Sequence, residues 1–348
     1  MSKTLLITGG AGYIGSHFIE ALYESKPDFL ADARVVILDD LSSGSQKVVD
    51  TLSELARAQG FPVPKLHQVD LLNADGVSKV LAEVKPDAVV HFAAKISVAE
   101  SVERPDFYFE NNVLGSKNLL NAMKAVGCTR IVFSSTAAVY GKVEDPKKAN
   151  LPLLETTELK PINPYGKTKL MMEEEIRRAH AEWKLNSVIF RYFNAAGASL
   201  SGRIGECHEP ETHLIPLLVR SVLKGDELKV FGTNYQTRDG SCIRDYIHVT
   251  DLASAHLLGL KYLLETDTVA KVFNLGTARG SSVLEVIDAV SVITGKQVKS
   301  RIMPDRPGDS GTLVANSTHA RSELGWAPKH STLHDILKSV LAWEGKHA

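Results

Sequence analysis

The chain has 348 residues, of which 44% are hydrophobic and 23% charged, proportions that are typical of a folded globular protein and exclude a disordered or fibrous chain. With 40 Lys and Arg residues against 41 Asp and Glu residues the formal net charge is −1, so no binding to nucleic acid or to a membrane surface is expected and the partner is expected to be a small molecule. The lack of a long apolar run, of a signal-peptide pattern and of any C-x-x-C pair among the three cysteines predicts a cytoplasmic protein.

Short β-branched runs alternate with helical patterns along the first half of the chain. Runs such as Val35–Leu38 are continuously hydrophobic, which is typical of strands buried on both faces of a parallel sheet. The predicted strands are residues 4–8, 34–39, 65–69, 87–92, 130–134 and 187–193, and crossover helices are predicted at 16–25, 75–84 and 111–125. This pattern predicts the α/β class with a Rossmann-type, doubly wound parallel sheet.

The second half changes to loops rich in Gly, Ser and His with shorter elements between them. Helices are predicted at 214–224, 281–294 and 332–343, and a strand at 228–231. We therefore predict a Rossmann-type domain over residues 1–193 and a smaller C-terminal α/β domain over residues 194–348. The segments 251–264 and 271–275 resemble a helix and a buried strand, so the chain is expected to return to the first domain near residues 244–277.

A glycine-rich segment, Gly9-Gly10-Ala11-Gly12-Tyr13-Ile14-Gly15, lies directly between the first predicted strand and the first helix. In such a position Gly9 permits a tight turn, Gly12 lets the backbone approach a pyrophosphate, and Gly15 allows close helix packing. The second strand ends at Asp39, close to where a carboxylate binds the adenosine ribose and repels a 2′-phosphate. The segment predicts dinucleotide binding over an ordinary βα turn, with NAD favoured over NADP.

Hydroxyl side chains follow the fifth strand, where Ser134, Ser135 and Thr136 reach the carboxyl edge of the predicted sheet. Ligands of open α/β sheets bind at this edge, although ordinary turn chemistry also favours Ser and Thr there. Ser134 and Thr136 are therefore candidate catalytic residues.

A tyrosine and a lysine lie four residues apart at the start of the next long helix, in Asn163-Pro164-Tyr165-Gly166-Lys167-Thr168-Lys169. Asn163 can cap this helix, and the spacing places Tyr165 and Lys169 on one face. A phenol is a poor base at neutral pH, and lowering its pKa to about 7 requires roughly 4 kcal/mol of phenolate stabilisation. A neighbouring ammonium and an oxidised nicotinamide ring are two cations that can provide it.

These segments resemble the extended short-chain dehydrogenase/reductase family and, within it, the UDP-galactose 4-epimerase group. The resemblance covers nearly the whole chain in order and rests on Thr8-Gly-Gly-x-Gly-x-x-Gly, Phe133-Ser-Ser-Thr-Ala-x-Val-Tyr-Gly, Pro164-Tyr-Gly-Lys-x-Lys, Arg191-Tyr-Phe-Asn and Arg244-Asp-Tyr-Ile-His-Val. It implies that Tyr165 is the catalytic base, that Lys169 binds the nicotinamide ribose and acidifies Tyr165, and that Thr136 relays the proton.

The resemblance also implies the ligands: NAD as cofactor, a UDP-sugar as substrate with UDP-glucose and UDP-galactose as the expected pair, and a homodimer. The planar guanidinium groups of Arg244 and Arg306 are suited to binding a diphosphate. Each arginine also has carboxylate neighbours in the sequence and can equally form a surface ion pair. The implied cofactor residues are Gly9, Gly12, Tyr13, Ile14, Gly15, Asp39, Ser43, Asp70, Leu71, Phe92, Ala93, Asn111, Tyr165 and Lys169; the implied substrate residues are Thr136, Asn194, Leu214, Phe231, Arg244, Arg306, Asp309 and Leu313.

Two positions depart from the group's pattern. The lysine that members place near the nicotinamide is shifted by one residue to Lys95, leaving Ile96 in its place, and Leu313 stands where some members carry a tyrosine beside the sugar. UDP-glucuronate and UDP-pentose 4-epimerases remain alternatives, as does a catalytically silent NAD-sensing module. A 4,6-dehydratase needs an acid–base pair directly after the strand-end threonine, where this chain has Ala137 and Ala138.

No metal is expected. His330 and His334 have ligand spacing but no third ligand nearby, which favours capping or surface roles. Cys207, His208 and His213 fall in a segment that the resemblance assigns to a loop covering the substrate.

Overall fold

The computed structural model describes residues 2–142, 152–305 and 310–347. Its contacts divide the chain into two compact units. The first contains the chain up to Val139 with Asn163–Arg191 and Ala253–Phe273, and the second contains the described parts of Tyr140–Ile162, Tyr192–Leu252 and the chain from Asn274 onward.

The strands and helices have the following bounds. The strands are β1 (Thr4–Thr8), β2 (Arg34–Asp39), β3 (Lys65–Gln68), β4 (Ala88–His91), β5 (Arg130–Thr136), β6 (Asn186–Tyr192), β7 (Asn194–Ala196), β8 (Leu228–Phe231), β9 (Ile243–His248), β10 (Ala270–Leu275), β11 (Gly280–Ser282), β12 (Ser300–Met303) and β13 (Thr312–Leu313). The helices are α1 (Tyr13–Ser25), α2 (Gln46–Gln59), α3 (Ala74–Val84), α4 (Val98–Glu103), α5 (Pro105–Phe109), α6 (Gly115–Val126), α7 (Pro164–Trp183), α8 (Leu214–Lys224), α9 (Val249–Glu265), α10 (Val283–Thr294), α11 (Thr318–Leu324) and α12 (Leu333–His347).

The first unit is built on a seven-stranded sheet with the order β10-β6-β5-β4-β1-β2-β3. The central strand β1 pairs in parallel with both β2 and β4, and its residues Leu5, Leu6 and Ile7 are fully buried. Chain order reverses direction on the two sides of β1, so the carboxyl ends of β1 and β4 flank the crevice where such sheets bind ligands. The prediction of a doubly wound α/β fold is confirmed.

Local sequence explains where the functional helix α7 begins. The side chain of Asn163 accepts a hydrogen bond of 2.8 Å from the Gly166 N–H, and Pro164 takes the first helical position, as predicted. Before α3, the sequence pattern predicted a helix only at α1. The structure adds α2, which is capped by Ser45 and buries Leu52 in the core.

The second unit combines small β-sheets with the helices α8, α10, α11 and α12. In one sheet β9 lies between β11 and β13, and β7 also pairs with β9, while β12 and β8 form a separate pair. Apolar side chains of α8, α10 and α12 form its core, including the fully buried Leu218, Val286 and Ile336.

Residues 140–162, which the sequence analysis assigned to the first domain, contribute their described part to the second unit. The cause is a set of hydrogen bonds: the Leu153 N–H donates to the Val314 carbonyl, and the Leu153 carbonyl accepts from the Asn316 N–H and from the Asn274 side chain.

Among the described residues, no helix has the length and apolar composition needed to cross a membrane.

Candidate active site

The glycine-rich loop connects β1 to α1 as predicted. Gly9 has φ +68°, and a Cβ there would lie 2.6 Å from the Ala93 nitrogen, so both backbone conformation and packing require glycine. Gly12, the N-cap of α1, has φ −84°, and its Cβ would meet only the Gly9 carbonyl oxygen, at 3.3 Å. This contact with a backbone atom is closer than most Cβ contacts, so packing inside the loop also disfavours a side chain at Gly12. No acidic residue lies in the first turn of α1, so the positive end of the helix is left for an anion.

Asp39 is the last residue of β2, and its carboxylate is hydrogen-bonded to the backbone of the glycine-rich loop and of the turn after β2. One carboxylate oxygen accepts from the Ala11 N–H and the other from the Leu41 N–H, each at 2.9 Å. Burial raises the pKa of the Asp39 carboxyl, and these two backbone bonds oppose the rise. A carboxylate has about four acceptor positions, so about two remain for ribose hydroxyls. Binding of the ribose by Asp39 was predicted from the sequence, whereas its hydrogen bonds to the loop backbone were not.

The other predicted cofactor residues lie just beyond the strands' carboxyl ends. Ser43 follows β2, Asp70 and the buried Leu71 follow β3, and the half-buried Phe92 and Ala93 follow β4. Because these strands are parallel, their carboxyl ends lie on one edge of the sheet. The half-buried Tyr13 and Ile14 open α1, and Asn111 lies in the π-helical turn Glu110–Leu114.

The displaced lysine is held in the same region. Lys95 Nζ donates to the Ser42 hydroxyl at 2.8 Å, and its backbone N–H and carbonyl both bond the side-chain amide of Asn112. Asn112 also donates to the Thr168 hydroxyl at 3.2 Å, which ties this loop to α7. Asn112 is thus a supporting residue that the sequence analysis did not name.

Tyr165 and Lys169 lie in the first turns of α7 and are 7% and 3% exposed. Lys169 Nζ donates to the Ser134 carbonyl at 2.8 Å and lies over the Phe133 ring at 5.0 Å, while Thr136 is hydrogen-bonded to the Tyr165 phenol. The structure therefore brings three of the four predicted catalytic side chains to the carboxyl end of β5.

Ser134 contributes differently from the other three. Its hydroxyl lies 3.1 Å from His256 Nε2, and its contact with Lys169 is made by the main-chain carbonyl. In this structure Ser134 positions Lys169, and its own side chain belongs to the buried contact with His256.

Burial dominates the electrostatics of this pair. It raises the pKa of the Tyr165 phenol to about 12, with the Thr136 hydrogen bond acting in the opposite direction. Burial lowers the pKa of the Lys169 ammonium to about 7, although the negative charge of Glu173 acts to raise it. The cation that sequence reasoning invoked to acidify Tyr165 is thus itself destabilised by burial.

Glu173, one turn beyond Lys169 on α7, is the centre of a buried network that the sequence analysis missed. Its two oxygens accept from Arg191 Nε at 2.9 Å and Nη2 at 2.6 Å, and one of them also accepts from the Ser135 hydroxyl. Because α7, β5 and β6 each supply one member, the network fixes the register of the helix against the two strands. The i, i+4 spacing of Lys169 and Glu173 was the available sequence signal.

In the second unit, three predicted substrate residues share one face of a sheet. Leu313 of β13 pairs with Arg244 of β9, and Asn194 of β7 pairs with Tyr246, two residues along β9. Paired residues, and residues two apart on a strand, point to the same face, so Asn194, Arg244 and Leu313 project together. Arg244 Nη1 donates to the Ser310 carbonyl at 2.7 Å, which fixes its guanidinium.

The remaining predicted substrate residues are less closely grouped. The half-buried Leu214 opens α8 and the half-buried Phe231 closes β8. Arg306 and Asp309 lie outside the described residues.

Comparisons with known proteins fit this geometry. Residues 6–339 match the family model described as GDP-mannose 4,6 dehydratase, and the chain belongs to that family. It is 44% identical to the UDP-glucose 4-epimerase of Lactobacillus helveticus over 99% of this chain and 97% of that protein. The resemblance to the UDP-galactose 4-epimerase group is thereby confirmed.

Solved structures agree with the sequence relatives. A UDP-glucose 4-epimerase of Stenotrophomonas maltophila, with bound NAD and formylated UDP-arabinopyranose, has a TM-score of 0.89 at 38% identity and covers 99% of this chain and 98% of its own. The Bifidobacterium longum UDP-glucose 4-epimerase, in complex with NAD⁺ and UDP, has a TM-score of 0.88 at 36% identity and covers 99% of this chain and 98% of its own.

Proposed function

We propose that this chain is an NAD-dependent UDP-glucose 4-epimerase, an isomerase that interconverts UDP-glucose and UDP-galactose. The observation that carries the proposal is the grouping of Tyr165, Lys169 and Thr136 at the same carboxyl edge of the parallel sheet as a dinucleotide-type glycine loop. Curated relatives with the same activity match almost the full length of the chain.

The residues of the first unit fit NAD. The bare backbone at Gly12 and the N-terminus of α1 would hold the pyrophosphate, and the free acceptor positions of Asp39 would hold the adenosine ribose. Lys169 uses one of its three N–H donors on the Ser134 carbonyl and would direct others to the nicotinamide ribose. NAD held by these residues would supply reversible hydride acceptance from C4 of the sugar, with return of the hydride to the opposite face.

Tyr165 is the proposed base for the C4 hydroxyl, acting directly or through Thr136. Lowering its pKa from about 12 to about 7 requires about 7 kcal/mol, at 1.36 kcal/mol per unit. We infer that the ligand-free site keeps the phenol protonated and that ionisation depends on cofactor and substrate binding. Such coupling would prevent Tyr165 from acting as a base before the sugar is in place.

The second unit supplies the proposed UDP-sugar contacts. Arg244, with Arg306, would bind the diphosphate, while Asn194, Leu214, Phe231 and Asp309 would contact the nucleotide and Leu313 the hexose. Binding energy placed on the UDP part leaves the sugar free to present either face, and this is the requirement of a 4-epimerase.

A dehydratase reaction is not favoured by the same site. Although the family model carries a dehydratase description, Thr136 is followed by Ala137 and Ala138, which have no acid or base to remove water. Assaying a panel of UDP-hexoses, UDP-pentoses and UDP-glucuronate would define the sugar range.

A homodimer in the cytoplasm is part of the proposal. Apolar side chains are exposed on α4, α5, the turn that follows α5, and α7, namely Val98, Val102, Phe109, Leu114 and Met171, and their burial against a second copy would be favourable. Cys128, Cys207 and Cys242, which all belong to the described residues, form no disulfide, which supports a reducing compartment. Val102→Glu should convert the dimer to a monomer in light scattering.

The experiment that tests the function replaces Tyr165 by phenylalanine, with Tyr262→Phe as the matched control. Epimerase activity should fall by at least 10²–10⁴-fold in Tyr165→Phe, the typical contribution of acid–base catalysis, with UDP-sugar binding retained and the control unaffected. NADH should not accumulate in the wild type, because the same hydride is removed and returned. Retention of more than about a tenth of the activity, or steady NADH release, would contradict the proposal.

A further inference from the structure

Four potential metal ligands gather in one short segment of the second unit, between β7 and α8. Each of Glu206, His208, Glu211 and His213 offers a ligand atom, and these atoms all lie within 4.8 Å of one another. From the sequence, the two histidines and Cys207 were expected to bind no metal, and Glu206 and Glu211 were not considered as ligands. The structure places both carboxylates next to the histidines.

The distances are close to those of a coordination polyhedron. Glu206 Oε1 lies 3.0 Å from His208 Nδ1 and 2.5 Å from His213 Nδ1, and Glu211 Oε1 lies 3.7 Å from His213 Nδ1. With bonds of about 2.0–2.1 Å, the ligand atoms of a tetrahedral zinc site are about 3.3 Å apart. The three separations bracket this value, and no pair among the four ligand atoms is more than 4.8 Å apart, so changes in separation of about 1.5 Å or less would complete a site.

Burial and charge point to a cation. The side chains of Glu206 and Glu211 are only 5% and 3% exposed. Glu211 Oε2 is buried without a hydrogen-bond partner among the described residues, and its nearest cation, the Arg220 guanidinium, is 3.8 Å away and binds Glu344 more closely. A buried acceptor without a hydrogen bond lowers the stability of the folded protein. The negative charges of two buried carboxylates would be neutralised by one divalent cation.

We propose that Glu206, His208, Glu211 and His213 bind one divalent transition-metal ion, with Zn²⁺ as the first candidate. Two imidazoles and two carboxylates suit Zn²⁺, whereas Mg²⁺ and Ca²⁺ prefer oxygen ligands alone. His208 and His213 are 19% and 40% exposed, which gives the ion a path from solvent.

The ion would have a structural effect. His213 is the N-cap residue of α8, and the Glu206 carbonyl accepts from Trp343 Nε1 of α12 at 3.3 Å. A metal joining residues 206 and 213 would therefore fix the segment that enters α8 against α12. The proposal does not depend on the proposed function, because none of the four ligands is assigned to the reaction.

The test uses the full-length protein stripped with a chelator and titrated with ZnCl₂ alone by calorimetry, and with CoCl₂ by visible absorption. We expect one equivalent of Zn²⁺, a visible Co²⁺ spectrum of a four-coordinate N/O site without thiolate bands, and a higher melting temperature with Zn²⁺. His208→Ala and the isosteric Glu206→Gln should each lose at least tenfold in Zn²⁺ affinity.

Matched controls separate this site from surface binding. Cys207→Ser tests the adjacent exposed thiol, and His334→Ala removes an exposed histidine elsewhere; both should bind Zn²⁺ as the wild type does. Tyr165→Phe should also bind normally, so the two proposals fail or stand separately. The proposal is overturned if stoichiometric Zn²⁺ binding is absent, if it persists unchanged in His208→Ala and Glu206→Gln, or if it is lost in Cys207→Ser.

Discussion

Replacement of the buried Lys169 by methionine should change how the stability of the nucleotide-free protein depends on pH. Lys169 is 3% exposed, and burial lowers the pKa of its ammonium to about 7. In the unfolded chain a lysine has a pKa of about 10.4. Between these values the unfolded state binds more protons than the folded state, so the free energy of unfolding of the wild type rises with pH.

The magnitude follows from the two pKa values. Between about pH 6 and about pH 9 the wild type should gain about 3 kcal/mol relative to Lys169→Met, at 1.36 kcal/mol per unit of pKa difference. The variant also loses the hydrogen bond to the Ser134 carbonyl, at a cost of roughly 1–3 kcal/mol. That cost is the same at every pH and leaves the predicted trend unchanged.

Urea unfolding at several pH values, on protein freed of nucleotide, measures this difference. Lys167→Met is the matched control, because Lys167 lies on the same helix but is exposed, and it should follow the wild type at every pH. If the gap between wild type and Lys169→Met stays constant within about 1 kcal/mol from pH 6 to 9, Lys169 remains charged in the folded protein and the reasoning from burial is refuted.

Three further outcomes are expected. Asp39→Ala combined with Asp40→Arg should shift the ratio of NADP to NAD affinity at least about tenfold toward NADP, and unchanged NADP binding would place the ribose elsewhere. Leu313→Tyr should remove activity on N-acetylated UDP-sugars and spare UDP-glucose; an equal fall in kcat/KM for both sugar types would make Leu313 an ordinary packing residue. Arg191→Met should lower the free energy of unfolding by about 3–5 kcal/mol, since it leaves the Glu173 carboxylate buried without its closest cation, and a loss below about 1 kcal/mol would show that water reaches that carboxylate.

Local pattern was sufficient for the elements that hold the candidate site. The bounds of β1 and β2 agree with the predicted strands, because buried parallel strands are continuous apolar runs between turn residues. The cap at Asn163 and the one-face placement of Tyr165 and Lys169 likewise follow from spacing along a single helix.

Contacts between distant segments could not be predicted in this way. The Ser134 hydroxyl meets His256, 122 residues later, and no local period encodes that distance. The cations that can lower the Tyr165 pKa are visible in the sequence, whereas the opposing effect of burial depends on the packed fold. By contrast, Glu206 and Glu211 lie within seven residues of His208 and His213, so their spacing was a sequence signal that was overlooked.

The assembly of the first unit from three separate segments has a consequence for folding during synthesis. The edge strand β10 is made about 80 residues after β6, which corresponds to roughly 4–16 s at about 5–20 residues per second of translation. During that time the outer edge of β6, with its apolar Val188 and Phe190, has no strand to pair with. Unpaired apolar edges promote association between chains, so the nascent protein should depend on chaperones most strongly in this interval, and slower translation of the intervening segment should lower the soluble yield.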